Sequence, residues 1–332
     1  MKKIFAVILF VLTFSVFAQS AENYRDDAIK GDPQAQNNLG LCYVGGRGVK
    51  QDFTEAVKWF QLSAKQGFSQ GQYNLGVCYA NGYGVKQDPS EAIKLWRKSA
   101  AQSDSLAQNK LGECYADGFG VAKNPAEAVK WWLKSAAQGN AKAQNSLGNC
   151  YKNGFGVAKN LAEAAKWWLK SAEQGDAQAQ FSLGAYYAYE KKKDFVEIRK
   201  WWLKSAEQGY APAQFTVGLC YYNGLGIKQD FAEAVKWYTL SAEQGYDFAQ
   251  YSLAVCYYNG EGVKQDLTKA VKWCKLSAEQ GNPDAQLSLG KSYENGHGVT
   301  KNLTEAVKWS TLAAKQGNKN AQEALKNLGK SW

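Results

Sequence analysis

Residues 35–67 read AQNNLGLCYVGGRGVKQDFTEAVKWFQLSAKQG, and this stretch alone sets the fold class. Ala35, Leu39, Cys42 and Tyr43 stand at i, i+4, i+7 and i+8, which is one face of a helix. Gly40 removes a side chain where another helix must come close, and Gly45, Gly46 and Gly48 can take the positive φ that stops a helix and turns the chain. Asp52, followed three residues later by Glu55, has the pattern of a capping box. Phe53, Ala56, Val57, Phe60 and Ala64 then form a second apolar stripe at helical spacing, which Gly67 ends. The stretch predicts two helices packed as a hairpin.

Moving outward, the same pattern returns every 36 residues. Its Leu-Gly marker stands at Leu39-Gly40, Leu75-Gly76, Leu111-Gly112, Leu147-Gly148, Leu183-Gly184 and, after a two-residue deletion, Leu289-Gly290, with Val217-Gly218 and Leu253-Ala254 as softened copies. Eight units follow, 32–67, 68–103, 104–139, 140–175, 176–209, 210–245, 246–281 and 282–317. The cap pair recurs at Asp88/Glu91, Asn124/Glu127, Asn160/Glu163, Asp194/Glu197, Asp230/Glu233 and Asn302/Glu305. The seventh unit departs from it with Asp266 and Lys269. A period of this length means stacked helix pairs. Tyr24 to Gly31 match the tail of a second helix and 318–332 match a first helix, with Lys326 in place of the core glycine, so residues 19–31 and 318–332 read as caps over exposed repeat faces.

The pattern Ala-Gln-x-x-Leu-Gly-x-Cys-Tyr-x-x-Gly-x-Gly-Val, then Glu-Ala-x-Lys-Trp and Ser-Ala-x-Gln-Gly, resembles the Sel-one-like (SLR) branch of the tetratricopeptide-type repeats across nearly all of the chain after its first residues. The resemblance implies an all-α fold, an α/α right-handed superhelical solenoid of about eight 36-residue helix-turn-helix repeats with first helices on the inner surface. It also implies adaptor roles in assembling protein complexes, among them host contact and envelope polysaccharide systems of bacteria. A cysteine-rich branch of the family pairs two Cys eight positions apart within each repeat and carries reported penicillin-binding or β-lactamase-like activity. This chain lacks that spacing.

Residues 1–18 read as a secretory signal peptide: Lys2 and Lys3 open it, Ile4 to Phe17 is mostly apolar, and Val16 and Ala18 fit a small-residue cleavage rule. Cleavage after Ala18 predicts a periplasmic or secreted protein. The apolar run is shorter than the ~20 residues that span a bilayer, and no membrane span is expected elsewhere. Net charge is +10, two fewer without Lys2 and Lys3. The lysines fall one per second helix (Lys58, Lys94, Lys130, Lys166, Lys200, Lys236, Lys272, Lys308) and read as a solvated face paired with Glu one turn earlier. Nucleic acid is not an expected partner in that compartment.

Six of the seven cysteines (Cys42, Cys78, Cys114, Cys150, Cys220, Cys256) occupy one repeat position, so neighbours should lie ~9–10 Å apart, beyond the ~7 Å limit for a bridge. They read as buried apolar groups, while Cys274 replaces a second-helix aromatic and could meet Cys256 within one hairpin. Ser288-Leu289-Gly290-Lys291 matches the Ser-x-x-Lys signature of penicillin-recognising enzymes, but Leu289 and Gly290 are the repeat marker and the companion motifs are missing. The single His297 stands at a loop position that varies between units (Arg47, Tyr83, Phe119, Phe155, Leu225, Glu261). No catalytic residue, cofactor or metal site is therefore assigned.

Positions alike in every unit hold the fold, and positions that differ are free to recognise a partner. The residue after the constant Ala-Gln, with those four and seven further on, forms a separate stripe on the first helix. It is polar in units three and four (Asn109, Glu113, Ala116; Asn145, Asn149, Lys152) and becomes Phe181, Phe215, Leu219, Tyr222, Tyr251, Val255 and Tyr258 in units five to seven. Two readings stay open for these seven, a recognition groove or extra core between stacked helices. Trp131-Trp132, Trp167-Trp168 and Trp201-Trp202 invite a sugar-stacking role, but adjacent helical residues point ~100° apart, so one of each pair should pack in the core. Unit five is two residues short, with Glu190, Lys191, Lys192 and Lys193 replacing the Gly-rich turn, which predicts a bend there. The sequence thus supports a non-enzymatic scaffold for a protein or peptide partner, with glycan or peptidoglycan binding second and a β-lactam-directed enzyme third.

Overall fold

The computed structural model describes residues 20–190 and 195–332, and among these it contains eighteen α-helices and no strand. They fall into two compact units, divided in the chain between Ser171 and Ala172. In the first, α1 (Glu22–Lys30), α2 (Pro33–Gly45), α3 (Phe53–Lys65), α4 (Ser69–Asn81), α5 (Pro89–Ala101), α6 (Ser105–Asp117), α7 (Pro125–Ala137) and α8 (Ala141–Asn153) each pack on the next, and the division falls near the end of α9 (Leu161–Glu173). The second holds α10 (Ala177–Glu190), α11 (Phe195–Glu207), α12 (Ala211–Asn223), α13 (Phe231–Glu243), α14 (Asp247–Asn259), α15 (Leu267–Glu279), α16 (Pro283–Asn295), α17 (Leu303–Lys315) and α18 (Lys319–Asn327), again each on its neighbour. This sequential packing of helix pairs is that of an all-α solenoid. The signal peptide, the Asp194 cap and the bend expected at residues 191–194 lie outside the described residues.

The marker glycine works as the sequence suggests. A Cβ on Gly76 would stand 2.6 Å from the indole of Trp96, so α4 and α5 can meet only over a bare backbone. The ring that lies there is Phe60 in the first repeat and Trp96, Trp132, Trp168, Trp202 and Tyr238 in those that follow, and all six are buried. Each such ring contributes roughly 1.5–3 kcal/mol of burial. The turn that follows is made by Gly46, at φ +66°, while Gly45 is still helical.

The caps differ from the expected box in one respect. Asp52 accepts from the backbone N–H of Thr54 and Glu55, but its own N–H donates to the Tyr43 carbonyl and not to Glu55. The carboxylate of Glu55 is thereby released to accept from Lys58 Nζ at 2.5 Å. The same division holds at Asp88, Asn124, Asp230 and Asn302, with Glu91, Glu127, Glu233 and Glu305 each pairing with the lysine three residues on. These pairs are exposed and screened by solvent, so they add little to stability. In the seventh repeat Asp266 still caps, accepting from the Lys269 N–H.

Repeats are joined by buried glutamines. Gln250 donates to the Ala242 carbonyl at 3.2 Å and accepts from Gln280, thirty residues later, at 2.8 Å. Gln108 makes the same pair of bonds with Ala100 and Gln138, and Gln214 with Ala206 and Gln244. Beside each clasp a buried serine ties the second helix to the start of the first, as Ser135 does to the Ser105 carbonyl and Ser277 to that of Asp247. All seven cysteines are buried and none forms a disulfide, Cys256 and Cys274 included.

Candidate functional site

The seven stripe residues all belong to the second unit, on α10, α12 and α14, and they form three groups. Phe181 packs edge-on against Tyr210, with ring centroids 5.6 Å apart. Phe215 is ringed by Tyr238, Tyr246 and Phe248 at 5.8, 5.5 and 6.2 Å, and Tyr222 lies on Phe231 at 5.1 Å, with Leu219 against the same core. Tyr251, Val255 and Tyr258 line one cavity. Six of the seven are half-buried and Tyr258 is exposed. The stripe is packed at its base and open at its outer edge. Phe248, 52 % exposed, extends the apolar surface at the start of α14, a residue sequence reasoning passed over because it precedes the constant Ala-Gln.

The cavity has a volume of about 270 Å³ and lies between α14 and α16, over α15. Its floor is Ala254, Ala270 and Cys274, all buried, and its rim carries Ser288, Lys291 and His297. Tyr251 Oη and Ser288 Oγ lie 3.2 Å apart, and Tyr258 Oη and His297 Nδ1 also 3.2 Å. Two groups set aside in the sequence, the Ser-x-x-Lys segment and the lone histidine, are thus brought to the stripe, where their visible bonds are to tyrosines. Cys274 was the signal available: it stands where repeats one to six carry a ring.

The first unit has a counterpart cavity between α4 and α6, bordered by Tyr73, Val77, Lys110, Glu113 and Asp117, with Trp96 in its floor. Tyr73 and Val77 correspond in the repeat to Tyr251 and Val255, Glu113 to Lys291, and Trp96 to Cys274. There Lys110 and Glu113 pair at 2.5 Å. The two sites share a frame and differ in floor and in charge.

Burial governs the titrations around the stripe. Tyr222 donates to Glu261 Oε2 at 2.7 Å, and this bond, followed by burial, pushes its hydroxyl up to about 12. Burial raises Tyr238, Tyr246 and Tyr251 as well, opposed at Tyr251 by the bond to Ser288. Burial also pushes the Cys274 thiol up to about 12, and its Sγ donates to the Ala285 carbonyl. A thiol so placed is inert. The tryptophan pairs divide as expected: Trp132, Trp168 and Trp202 are buried, while Trp131, Trp167 and Trp201 are half-buried under the ammonium groups of Lys134, Lys170 and Lys204, 4.3–4.9 Å from the rings. Among the described residues no group of three or more His, Cys, Asp or Glu could hold a metal, and no helix is long and apolar enough to cross a membrane.

The family model for the Sel1 repeat matches eight times, at 33–68, 69–104, 105–140, 141–176, 177–210, 211–246, 247–282 and 283–318. The chain belongs to the Sel1-repeat family. Among solved structures, this Sel1-repeat chain is similar to a protective antigen present in uropathogenic Escherichia coli strains that displays an SLR fold, at 36% identity over 93% of this chain and 67% of that one, with a TM-score of 0.78. It is also similar to a Sel1 repeat protein from Oxalobacter formigenes, at 32% identity over 92% and 89%, with a TM-score of 0.65. No curated protein matches the sequence. The Sel1-repeat scaffold typically serves protein–protein interaction.

Proposed function

We propose that the chain is an exported, non-enzymatic Sel1-repeat scaffold that binds a protein or peptide partner through the first-helix surface of repeats five to seven. The observation that carries this reading is the half-buried aromatic stripe of α10, α12 and α14, which widens into an open cavity at Tyr251 and Tyr258. Aromatic anchors held at their base and bare at their edge are the groups that dominate protein interfaces. Cleavage after Ala18 delivers the protein to the periplasm or the exterior, a reading supported by the apolar leader and by similarity to a protective antigen.

The test is affinity enrichment with mass spectrometry, passing envelope and host-protein extracts over the chain and over a Phe181→Ala, Phe215→Ala, Tyr251→Ala variant of equal helicity. A protein held by the first and lost by the second is the expected result. Equal retention by both would move the site to another face. An empty eluate, with soluble glycan retained instead, would replace the protein partner with a carbohydrate.

A further inference from the structure

In repeats one to six a ring from the second helix lies on the marker glycine of the first. Added Cβ atoms on Gly40, Gly76, Gly184 and Gly218 would each stand 2.6 Å from the ring of Phe60, Trp96, Trp202 or Tyr238. In the seventh repeat both partners have changed, the glycine to Ala254 and the ring to Cys274. Both are buried, and both border the cavity. The cavity therefore borders the place where a ring of the chain's own stands in repeats one to six, a place that Ser310 takes in the eighth. At about 270 Å³ it suits one large side chain better than a drug-sized molecule, for which pockets run from ~300 to ~1,000 Å³.

The rim specifies the neighbourhood of that side chain. Its charged residue is Lys291, which is exposed and makes no ion pair among the described residues, with His297 beside it. No carboxylate is among the lining residues. At the counterpart site in the first unit the ring is already present as Trp96, and Glu113 and Asp117 stand at the rim. We propose that the cavity of the seventh repeat takes an aromatic side chain of a partner polypeptide, with an acidic residue next to it held by Lys291. The proposal rests on partner binding at the first-helix surface and adds the chemistry of the segment bound.

The test is fluorescence anisotropy with three labelled peptides, Gly-Asp-Trp-Asp-Gly, Gly-Asp-Ala-Asp-Gly and Gly-Lys-Trp-Lys-Gly, titrated with the whole chain. The first should bind, and loss of its indole should weaken it by roughly thirtyfold, as for a central aromatic anchor. Lysine flanks should cost about tenfold. Refilling the hole from within, by Cys274→Trp with Ala254→Gly, should abolish binding, while Lys291→Glu on the exposed rim should weaken the acidic peptide and favour the basic one. Equal binding by the refilled chain, equal binding of all three peptides, or no binding at millimolar concentration would each overturn the proposal. If the refilled chain still enriches a partner that the Phe181, Phe215, Tyr251 variant loses, this proposal fails and the surface reading stands. If neither variant loses it, both fail.

Discussion

The pairing of a bare first-helix backbone with a second-helix ring predicts a strong energetic coupling at Ala254 and Cys274. Cys274→Trp alone places an indole against the Ala254 methyl, a contact like the 2.6 Å approach of a Cβ on Gly76 to Trp96. Overpacking of this kind costs ~1–3 kcal/mol. Ala254→Gly alone loses a buried methyl and helix propensity, ~1–2 kcal/mol together. Combined, the indole lies on bare backbone and its burial returns roughly 1.5–3 kcal/mol, so the double variant should equal or exceed the parent in stability. Additivity predicts a loss of ~2–5 kcal/mol, and the difference is a coupling of ~2 kcal/mol or more. Thermal melting by circular dichroism reads it, at ~2–4 °C per kcal/mol for a unit of this size, with hydrogen exchange at α14 and α15 to place the change, because repeat arrays open locally. A coupling below ~0.5 kcal/mol would refute the claim that the cavity is the site of a missing ring.

Gln250→Ala removes two hydrogen bonds, leaving the Ala242 carbonyl with the Gly245 N–H alone, and should lower stability by ~1–3 kcal/mol, read as a fall in the urea midpoint. Native protein should release less than one equivalent with Ellman's reagent at pH 8, rising to all seven thiols in denaturant, since every cysteine is buried and burial pushes Cys78, Cys114, Cys150, Cys256 and Cys274 up to about 12. Tyr222 keeps its proton longer when folded than unfolded, so stability should drop as pH climbs from its ordinary 10.0 through about 12, and the drop should be shallower in Tyr222→Phe. Labelled penicillin should leave no covalent adduct; an adduct lost in Ser288→Ala would restore the acyl-transfer reading.

Much of this architecture was legible in residues 35–67, because a bare glycine, a helical stripe and a cap are local signals. The tryptophan pairs were legible for the same reason, as a 100° step between neighbours decides which one is buried. Two things were not. The glutamine clasp links Gln250 to Gln280 across thirty residues, and a constant Gln in one unit gives no hint of the partner that makes it constant. Likewise the fate of the stripe depends on which side chains neighbouring repeats set against it: Phe215 is covered by Tyr238 and Tyr246, while Tyr258 stays exposed beside His297. The Glu of the cap pair was misassigned because the Tyr43 carbonyl, nine positions before Asp52, had already taken the N–H it was expected to serve.

The clasp has a consequence for how such genes change length. Gln108, Gln214 and Gln250 each bond a carbonyl of the preceding repeat and a glutamine thirty residues ahead, and the partners are chemically the same in every case. Unequal crossing-over that deletes or duplicates one whole period joins a glutamine to a new partner identical to the old one, so no buried amide is orphaned wherever the breakpoint falls. Repeat number can then drift without a folding penalty, and the fifth unit, two residues short, still keeps its clasp, with Gln180 accepting from Gln208 at 2.8 Å.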